Sequence, residues 1–491
     1  MQLPFPAPVR SLSPTALSAP RAYRGLYAFH KYWGKKPSEP NQYLIQHLCP
    51  ERGLVVDPFL GSGVSAFEAV QLNRRVIGID INPIAIKIAR LLVSPPTTGS
   101  LVQAFQQVGT LVKNTILESY FTSEGKVATH YVWQNGRMQK VWLRNGSSRN
   151  RVELQPTDHD IALSARFESY QPRLLGSPRF FTNSRINTSP SLTLKDLFTG
   201  RALHNIELLL DAIAELPMAD QEPLKICLTA AVGQMSKMVF AITNRGKTIG
   251  KRNDYMEVGS WVIGYWRPAQ HFEVNVWNSF ERKVRRLIKA ISKLELAHIT
   301  TRSGDVSAVC SGEADCSLII GDCLQLLPQL PDNLVNLIIT DPPHSDRIPY
   351  LELSEIWNVI LGEQPPFESE IVVSNAKERS KNERAYNQAM LRFLEIVSHK
   401  LRKDGYLVLF FNARTRSSWH FFESYLKDEG NVGMVYRGCF PLVYSALSVV
   451  QDNRKGALRT DYGLVFSRSV ASDRCLAEIP GWSSKIPESL K

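Results

Sequence analysis

The sequence lacks the cysteine patterns that staple small secreted proteins or bind zinc. Its seven cysteines are an odd number without a CxxC pair, which argues against a disulfide framework and against a zinc ribbon. Cys310, Cys316 and Cys323 are closely spaced but have no histidine beside them, so packing explains them better than a metal site does. We therefore predict reduced thiols and no bound metal.

Long apolar runs are also missing. No stretch reaches the roughly 18 consecutive apolar residues of a membrane-spanning helix, and the N-terminus lacks the short apolar segment of a secretory signal. With 44% hydrophobic and 21% charged residues, the 491-residue chain has the composition of a globular protein of two or three domains. The sequence predicts a cytoplasmic protein without a membrane partner.

Acidic residues are scarce at the start of the chain, where the first is Glu39. Residues 1–24 are rich in Pro, Ser and Ala and have no helical or strand periodicity, which predicts a flexible arm. Over the whole chain, 58 Lys and Arg residues exceed 46 Asp and Glu residues, a formal charge of +12. This excess favours a polyanionic partner such as nucleic acid, although charge alone does not identify one.

The first segment with a clear chemical pattern is "LVVDPFLGSGVSAFEAVQLNRRVIGID". An apolar strand, a glycine turn, a helix and a second strand follow one another, which predicts a βαβ unit. Gly61 and Gly63 allow backbone amides to approach a ligand, and Asp80 ends the second strand at a spacing that suits ribose hydroxyls. The dinucleotide fingerprint GxGxxG is absent, and a glycine turn alone occurs in many α/β domains.

The second such segment begins some 240 residues later, at "LIIGDCLQLLPQLPDNLVNLIITDPPHSD". It contains a strand, a Gly-Asp pair, a helix and a second strand that ends in Asp341, Pro342, Pro343 and His344. The prolines fix φ and carry no N–H, so they stiffen a turn without competing for its hydrogen-bond acceptors. The pattern predicts a carboxylate presented at the tip of a buried strand.

Together, "DPFLGSG", "GIDINP" and "DPPH" resemble the motifs of S-adenosylmethionine-dependent DNA amino-methyltransferases of the N6-adenine and N4-cytosine type, in the α-type order. "TNSRIN" and "LSVVQDNRKGALRTDYGLVF" are similar to segments of an adenine-specific branch that often carries a zinc ribbon, whose cysteines are missing here. The resemblance implies an α/β fold. It also implies a Rossmann-like seven-stranded methyltransferase sheet with a large inserted, mainly helical target-recognition region.

The expected domain organisation follows this motif order. We predict a flexible arm (1–24), a cofactor-binding half (25–98), an inserted DNA-binding region (99–310), a catalytic half (311–468) and a C-terminal tail (469–491). In the insert, the alternating stretches around Asn135 and Gly136 predict a β-hairpin. A helix is predicted to be capped near Thr193, and another is predicted over 224–242.

Basic segments of the insert have the composition of a phosphate-tracking surface, although a solvated polar face has the same composition. They are the loop 243–254 and the helix "NVWNSFERKVRRLIKAISK". Arg379, Lys381, Arg454 and Lys455 in the catalytic half are further candidates for phosphate contact, with the same alternative.

The resemblance assigns S-adenosylmethionine as cofactor and no metal. The residues that it implies for the cofactor pocket come from the N-terminal loop, the glycine turn and two strand ends: His30, Lys31, Pro37, Asp57, Phe59, Gly61, Ser62, Gly63, Asp80 and Asp322. Asp322 is expected to accept a hydrogen bond from the adenine amine of the cofactor.

The catalytic residues implied by the resemblance are Asp341, Pro342, Pro343 and His344. An exocyclic amine is a poor nucleophile because its lone pair is delocalised into the ring, so a carboxylate and a backbone carbonyl that accept its hydrogens supply catalysis by positioning. The target base must first be flipped from the duplex, and in the resembled enzymes the residue after the prolines is an aromatic that stacks on it. His344 departs from that pattern, which puts base capture in doubt. Tyr350 is either a substitute platform or a core residue.

We therefore expect a methyltransferase that acts on a flipped base of duplex DNA, at N6 of adenine rather than N4 of cytosine because the turn begins with Asp and not Ser. Two rivals stay open: a catalytically impaired DNA-binding subunit of the same fold, and an RNA base methyltransferase. The resemblance also allows partner proteins from restriction or phage-defence systems. Methylation at the cytosine ring carbon needs a Pro-Cys pair that the sequence lacks.

Overall fold

The computed structural model describes most of the chain, in the ranges 24–144, 151–243, 256–294, 302–346, 348–411, 420–422, 433–442, 461–468 and 474–485. Several predicted features lie outside the described residues. They are the N-terminal arm apart from Arg24, nearly all of the basic loop 243–254, and the pair Arg454 and Lys455.

The described strands, in chain order, are β1 (Leu54–Asp57), β2 (Arg75–Asp80), β3 (Ala128–Gln134), β4 (Arg137–Arg144), β5 (Arg151–Leu154), β6 (Ala241–Thr243), β7 (Met256–Val258), β8 (Gln270–Val274), β9 (Cys316–Ile320), β10 (Val335–Thr340), β11 (Leu401–Phe411), β12 (Val435–Leu442) and β13 (Asp461–Ser467). The described α-helices are α1 (Ser38–Leu48), α2 (Val64–Gln71), α3 (Pro83–Val93), α4 (Thr98–Glu118), α5 (Asp158–Ala165), α6 (Leu194–Leu197), α7 (Gly200–Ala214), α8 (Met218–Met235), α9 (Val276–Ile291), α10 (Val306–Ser311), α11 (Cys323–Leu326), α12 (Tyr350–Leu361), α13 (Glu383–Lys400) and α14 (Arg474–Ala477).

The largest sheet has seven strands in the order β12-β13-β11-β10-β1-β2-β9. The strands β11, β10, β1, β2 and β9 are parallel neighbours, and β13 is antiparallel to both β11 and β12. The predicted mixed α/β architecture with a large, mainly parallel sheet is confirmed. Its continuous apolar strands reflect burial on both faces, as is typical of parallel sheets.

Helices cover both faces of this sheet because successive side chains of a strand point to opposite sides. On one face Leu54 and Val56 of β1 pack with α13, and on the other Val55 packs with α1 and α2. The predicted strands at "LVVDPF" and "RVIGID" and the helix between them are present as β1, β2 and α2. This layering leaves the strand ends as the exposed part of the sheet.

The segment between the two motif regions forms its own antiparallel sheet, β5-β4-β3-β8, packed with helices α4, α7, α8 and α9. The predicted hairpin is present as β3 and β4, and Asn135 and Gly136 both adopt positive φ at its turn. The apolar core of this segment continues into α3 and α12, which flank the large sheet. The two parts of the chain therefore share a core.

Three boundaries in and after this segment differ from the sequence predictions. Thr193 does cap a helix, α6, but Thr199 starts a second one, α7. The helix predicted over 224–242 begins earlier and ends at Met235, since Ser236 turns the chain toward strand β6. Helix α10 packs on β2 and β9, so it lies against the large sheet although most of it precedes residue 311.

None of the described helices is long and apolar enough to cross a membrane.

A buried ion pair anchors the four-stranded sheet to α7, and its loss should destabilise the protein. Arg201 donates to both carboxylate oxygens of Glu273 at 2.8 and 3.0 Å, and both side chains are 1% exposed. Arg201→Met leaves a buried carboxylate without its partner, which costs about 3–5 kcal/mol. We expect a clear drop in the midpoint of thermal unfolding. Lys126→Met, at an exposed pair with Glu124, should change the midpoint little, and equal shifts in the two variants would contradict this expectation.

Candidate functional site

An open cleft lies at the carboxyl ends of β1, β2 and β10, and it measures about 910 Å³ with the open solvent at its mouth included. The two motif regions meet there although they are far apart in sequence, because parallel strands end at the same edge of a sheet. From the predicted residues, the cleft is lined by Asp57, Phe59, Gly61, Ser62, Asp80, Asp322, Asp341 and Pro343. Gly63 begins α2 directly after the glycine turn.

Asp57 fixes the start of the glycine turn. Its carboxylate accepts hydrogen bonds from the Phe59 amide at 3.2 Å, from the Thr340 hydroxyl at 2.6 Å and from the Ser65 hydroxyl. Burial raises the pKa of Asp57 to about 6, while these hydrogen bonds lower it. Because Thr340 ends β10, this carboxylate ties the first motif directly to the second.

Asp80 holds the glycine turn from the neighbouring strand. Its two oxygens accept the amide of Gly61 at 2.7 Å and the amide of Asn82 at 2.8 Å. Burial raises the pKa of Asp80 to about 7 despite both hydrogen bonds. Gly61 and Gly63 have φ of +56° and +83°, and a Cβ on Gly63 would lie 2.5 Å from the Ala89 side chain. Only glycine fits this close approach.

Asp322 follows β9 and caps the short helix α11, where it accepts the Leu324 amide at 2.9 Å. It lines the cleft opposite the glycine turn, together with Cys323. The cleft therefore presents carboxylates from the ends of four parallel strands.

The carboxylate of Asp341 is held at both oxygens. The Lys36 ammonium lies 2.9 Å from Oδ2, and it also lies 2.9 Å from a carboxylate oxygen of Asp461. On the other side, His344 Nε2 lies 2.9 Å from Oδ1 and 3.3 Å from the Phe410 carbonyl. Burial lowers the pKa of Lys36, but the two carboxylates outweigh that effect and the net pKa is raised.

His344 is turned into the protein. It is 8% exposed, it packs edge-on against Phe411, and it does not line the cleft. The stacking surface that the resemblance implies for this position is therefore not presented to the cleft. Tyr350, the alternative platform, does line the cleft and stacks on Tyr32 at a centroid distance of 5.8 Å.

The proline turn is braced by α13. The Tyr386 hydroxyl donates to the Pro343 carbonyl at 2.8 Å, and the Ser345 amide donates to the same oxygen at 3.0 Å. Among the described residues, no hydrogen bond reaches the Pro342 carbonyl. Pro343 lines the cleft, whereas Pro342 is not among its lining residues.

Four of the residues predicted for the cofactor pocket do not line the cleft: His30, Lys31, Pro37 and Gly63. His30 is buried, where it contacts Thr229 Oγ1 at 3.1 Å and Trp357, and burial lowers its pKa to about 3. Lys31 reaches away to the Trp261 ring and carbonyl, and Pro37 precedes α1. Their neighbours Tyr32, Lys35 and Lys36 line the cleft instead. The two lysines before Pro37 are evident in the sequence. The carboxylates that Lys36 contacts, Asp341 and Asp461, could not be identified from it.

Sequence reasoning also missed Glu370 and misjudged Arg379. Glu370 lines the cleft and accepts the Leu351 amide at 3.1 Å and the Arg379 guanidinium at 2.6 Å. Arg379 also pairs with Glu352 at 2.6 Å and its side chain is 2% exposed. The prediction that Arg379 meets phosphates is therefore wrong, because its charge is consumed by two buried carboxylates. Lys381 instead donates to the Glu368 carbonyl near the surface.

Comparison with known proteins places the first motif in a family. Residues 15–91 match the N6_N4_Mtase family model, described as DNA methylase. The type II methyltransferase M2.DpnII of Streptococcus pneumoniae is 39% identical over 64 residues, which are 12% of this chain and 24% of that protein. The type II methyltransferase M2.LlaDCHI of Lactococcus lactis subsp. cremoris is 32% identical over 75 residues, 14% of this chain and 28% of the relative.

The chain thus spans about a quarter of the length of the curated relatives that it matches. The matched segment contains β1, the glycine turn, α2 and β2, which build one wall of the cleft. DNA methyltransferases of this family use S-adenosylmethionine as methyl donor. The predicted resemblance is confirmed: residues 15–91 are similar to DNA methylases of the N6-adenine and N4-cytosine amino-methyltransferase type.

Proposed function

We propose that the protein transfers a methyl group from S-adenosylmethionine to an exocyclic amine of a DNA base, at N6 of adenine in preference to N4 of cytosine. One observation carries the proposal: Asp57, Asp80, Asp322 and Asp341 line one cleft at the carboxyl edge of the large sheet. A glycine turn with two acids beside it suits the cofactor, and a braced Asp-Pro-Pro turn suits the amine. Because both turns border the same cleft, a cofactor bound at one and an amine bound at the other would lie close enough for methyl transfer.

The cleft offers hydrogen-bond acceptors that match the donor groups of the cofactor. Asp80 uses each oxygen for one backbone amide, which leaves further lone pairs for the two ribose hydroxyls. Gly61 and Ser62 line the cleft just before α2, where we place the amino-acid part of the cofactor. When bound, S-adenosylmethionine supplies an electrophilic methyl group on a sulfonium centre. Asp322 is the acceptor at the adenine end in this arrangement.

The Asp-Pro-Pro turn would orient the amine. Asp341 accepts one amine hydrogen and a backbone carbonyl of the turn accepts the other, so the nitrogen lone pair is directed at the methyl carbon. The bound cofactor would supply the methyl group to this nitrogen, and the Asp341 carboxylate would accept the proton that the amine then loses. Such positioning accounts for most of the rate that a site of this kind supplies.

DNA is the proposed substrate because of the family match and the charge of the segment between the motifs. Helix α9 buries Phe280, Val284 and Leu287 and exposes a basic face. That face consists of Arg282, Arg285, Arg286 and Lys289. Clustered exposed cations gain affinity by releasing counterions from phosphates. We propose that this segment contacts the duplex and that the target base is flipped into the cleft.

Replacing the carboxylate of the turn should abolish turnover but spare the cofactor site. For Asp341→Ala we expect at least a 100-fold lower rate of methyl transfer, since an acceptor on the reacting amine is removed. The dissociation constant for S-adenosylmethionine should stay within about threefold. Mass spectrometry of nucleosides from incubated DNA measures the rate and names the base.

The matched control is Asp404→Ala, an exposed carboxylate at the amino end of β11, remote from the cleft. It should leave the rate unchanged. If the wild-type protein binds the cofactor but methylates no DNA of varied sequence, the proposal fails. Methylated RNA in the same assay would support the RNA enzyme, and its absence would support a non-catalytic DNA-binding subunit.

Cofactor affinity should depend on pH through Asp80. Its carboxyl has a pKa of about 7, and the ribose hydroxyls need the ionised form as acceptor. Affinity is therefore full above pH 7 and falls as the carboxyl is protonated, by about tenfold from pH 8 to pH 6. Calorimetric titration with S-adenosylmethionine at several pH values measures this change.

Asp80→Asn provides the comparison for that titration. The variant keeps every other titrating group, including the amino group of the cofactor, so the difference between the two profiles belongs to Asp80. We expect weaker binding with a flatter profile over this range. Parallel profiles in the two proteins would contradict the role given to Asp80.

A further inference from the structure

We infer that Lys36 is a positioning residue, which holds the Asp341 carboxylate in its reactive orientation by bridging it to Asp461. The inference rests on the proposed function and extends it. Neither Lys36 nor Asp461 belongs to the glycine turn or to the Asp-Pro-Pro turn. Both come from segments at opposite ends of the chain, one before α1 and one at the start of β13.

The geometry is that of a single cation shared by two acids. The ammonium lies 2.9 Å from one oxygen of each carboxylate, so these oxygens are at most about 6 Å apart. The Lys36 side chain is 10% exposed, that of Asp461 is 2% exposed and that of Asp341 is 19% exposed. Water therefore does little to screen the charges.

Two carboxylates at this distance repel each other when no cation lies between them. Asp341 then swings away from Asp461, which removes the acceptor that the amine needs. With Lys36 in place, Oδ2 is fixed from one side and His344 fixes Oδ1 from the other. Each oxygen keeps a second lone-pair site for the amine.

The backbone of Lys36 is itself anchored. The next residue, Pro37, precedes α1, and α1 packs against β10, the strand that ends at the catalytic turn. Lys36 also lines the cleft beside Tyr32 and Lys35. The Lys36 ammonium thus reaches Asp341 from a segment that also lines the part of the cleft proposed for the cofactor. This segment therefore connects the two halves of the site.

A double-mutant cycle on methyl transfer tests the bridge. For Lys36→Met we expect kcat to fall at least 50-fold while KM for S-adenosylmethionine stays within threefold. For Asp461→Asn, which removes the second negative charge but keeps an oxygen that accepts from Lys36, we expect less than a fivefold change. The double variant should regain at least tenfold in kcat over Lys36→Met, because the repelling charge has been removed with its counter-ion.

A matched cycle uses Arg402→Met and Asp404→Asn, an exposed pair 2.9 Å apart at the amino end of β11. It should show no coupling in kcat. Circular dichroism and cofactor binding verify that each variant is folded. If Lys36→Met does not fold, Lys36→Gln, which is neutral but keeps a donor, takes its place with the same expected rescue.

Two results would overturn the inference: kcat retained in Lys36→Met, or a double variant no better than the single one. Either can occur while the wild-type enzyme is fully active, so the proposed function would survive. If the wild type transfers no methyl group, the proposed function fails. The wild type, the two single variants and the double variant are then compared by their midpoints of thermal unfolding. Coupling between Lys36 and Asp461 there would support the bridge, and additivity would overturn it.

Discussion

The hydrogen bond from the Thr340 hydroxyl to the Asp57 carboxylate is the contact on which the site depends. It spans 2.6 Å between residues 283 positions apart, and it exists because β10 pairs in parallel with β1. Parallel pairing brings the carboxyl ends of both strands to one edge. The glycine turn follows one strand and the Asp-Pro-Pro turn follows the other, so this register determines the distance between the two turns.

The fold near the cleft was predictable because its signals are local. Buried parallel strands are short apolar runs, a turn with positive φ selects glycine, and a helix start follows from the turn before it. These rules locate β1, α2, β2 and β10 and place Asp57, Asp80, Asp322 and Asp341 at strand ends, where the structure has them. A segment longer than either motif region separates the two, and the parallel sheet tolerates it because both strands still end at one edge.

The side-chain partners were not predictable, because they depend on neighbours that are distant in sequence. Arg379 looks like a surface cation in "NAKERSKNER", yet Glu352 and Glu370 bury it. His344 occupies the position of an exposed aromatic, but the Phe410 carbonyl and the Asp341 carboxylate draw its ring inward. The charge on a side chain is evident from sequence, whereas the direction of that side chain is decided by packing.

Charge in the cleft runs opposite to charge on the chain as a whole. The chain carries +12, while five acids and two lysines are among the described residues that line the cleft. Glu370 is paired with Arg379 and Asp341 with Lys36, and burial raises the pKa of Asp80 to about 7, so the cleft is weakly acidic near neutral pH. A ligand with phosphate groups would meet repulsion there, whereas a sulfonium with an ammonium group would be attracted. The proposed DNA substrate would therefore be attracted by the net charge of the chain, and the proposed cofactor by the acidic cleft.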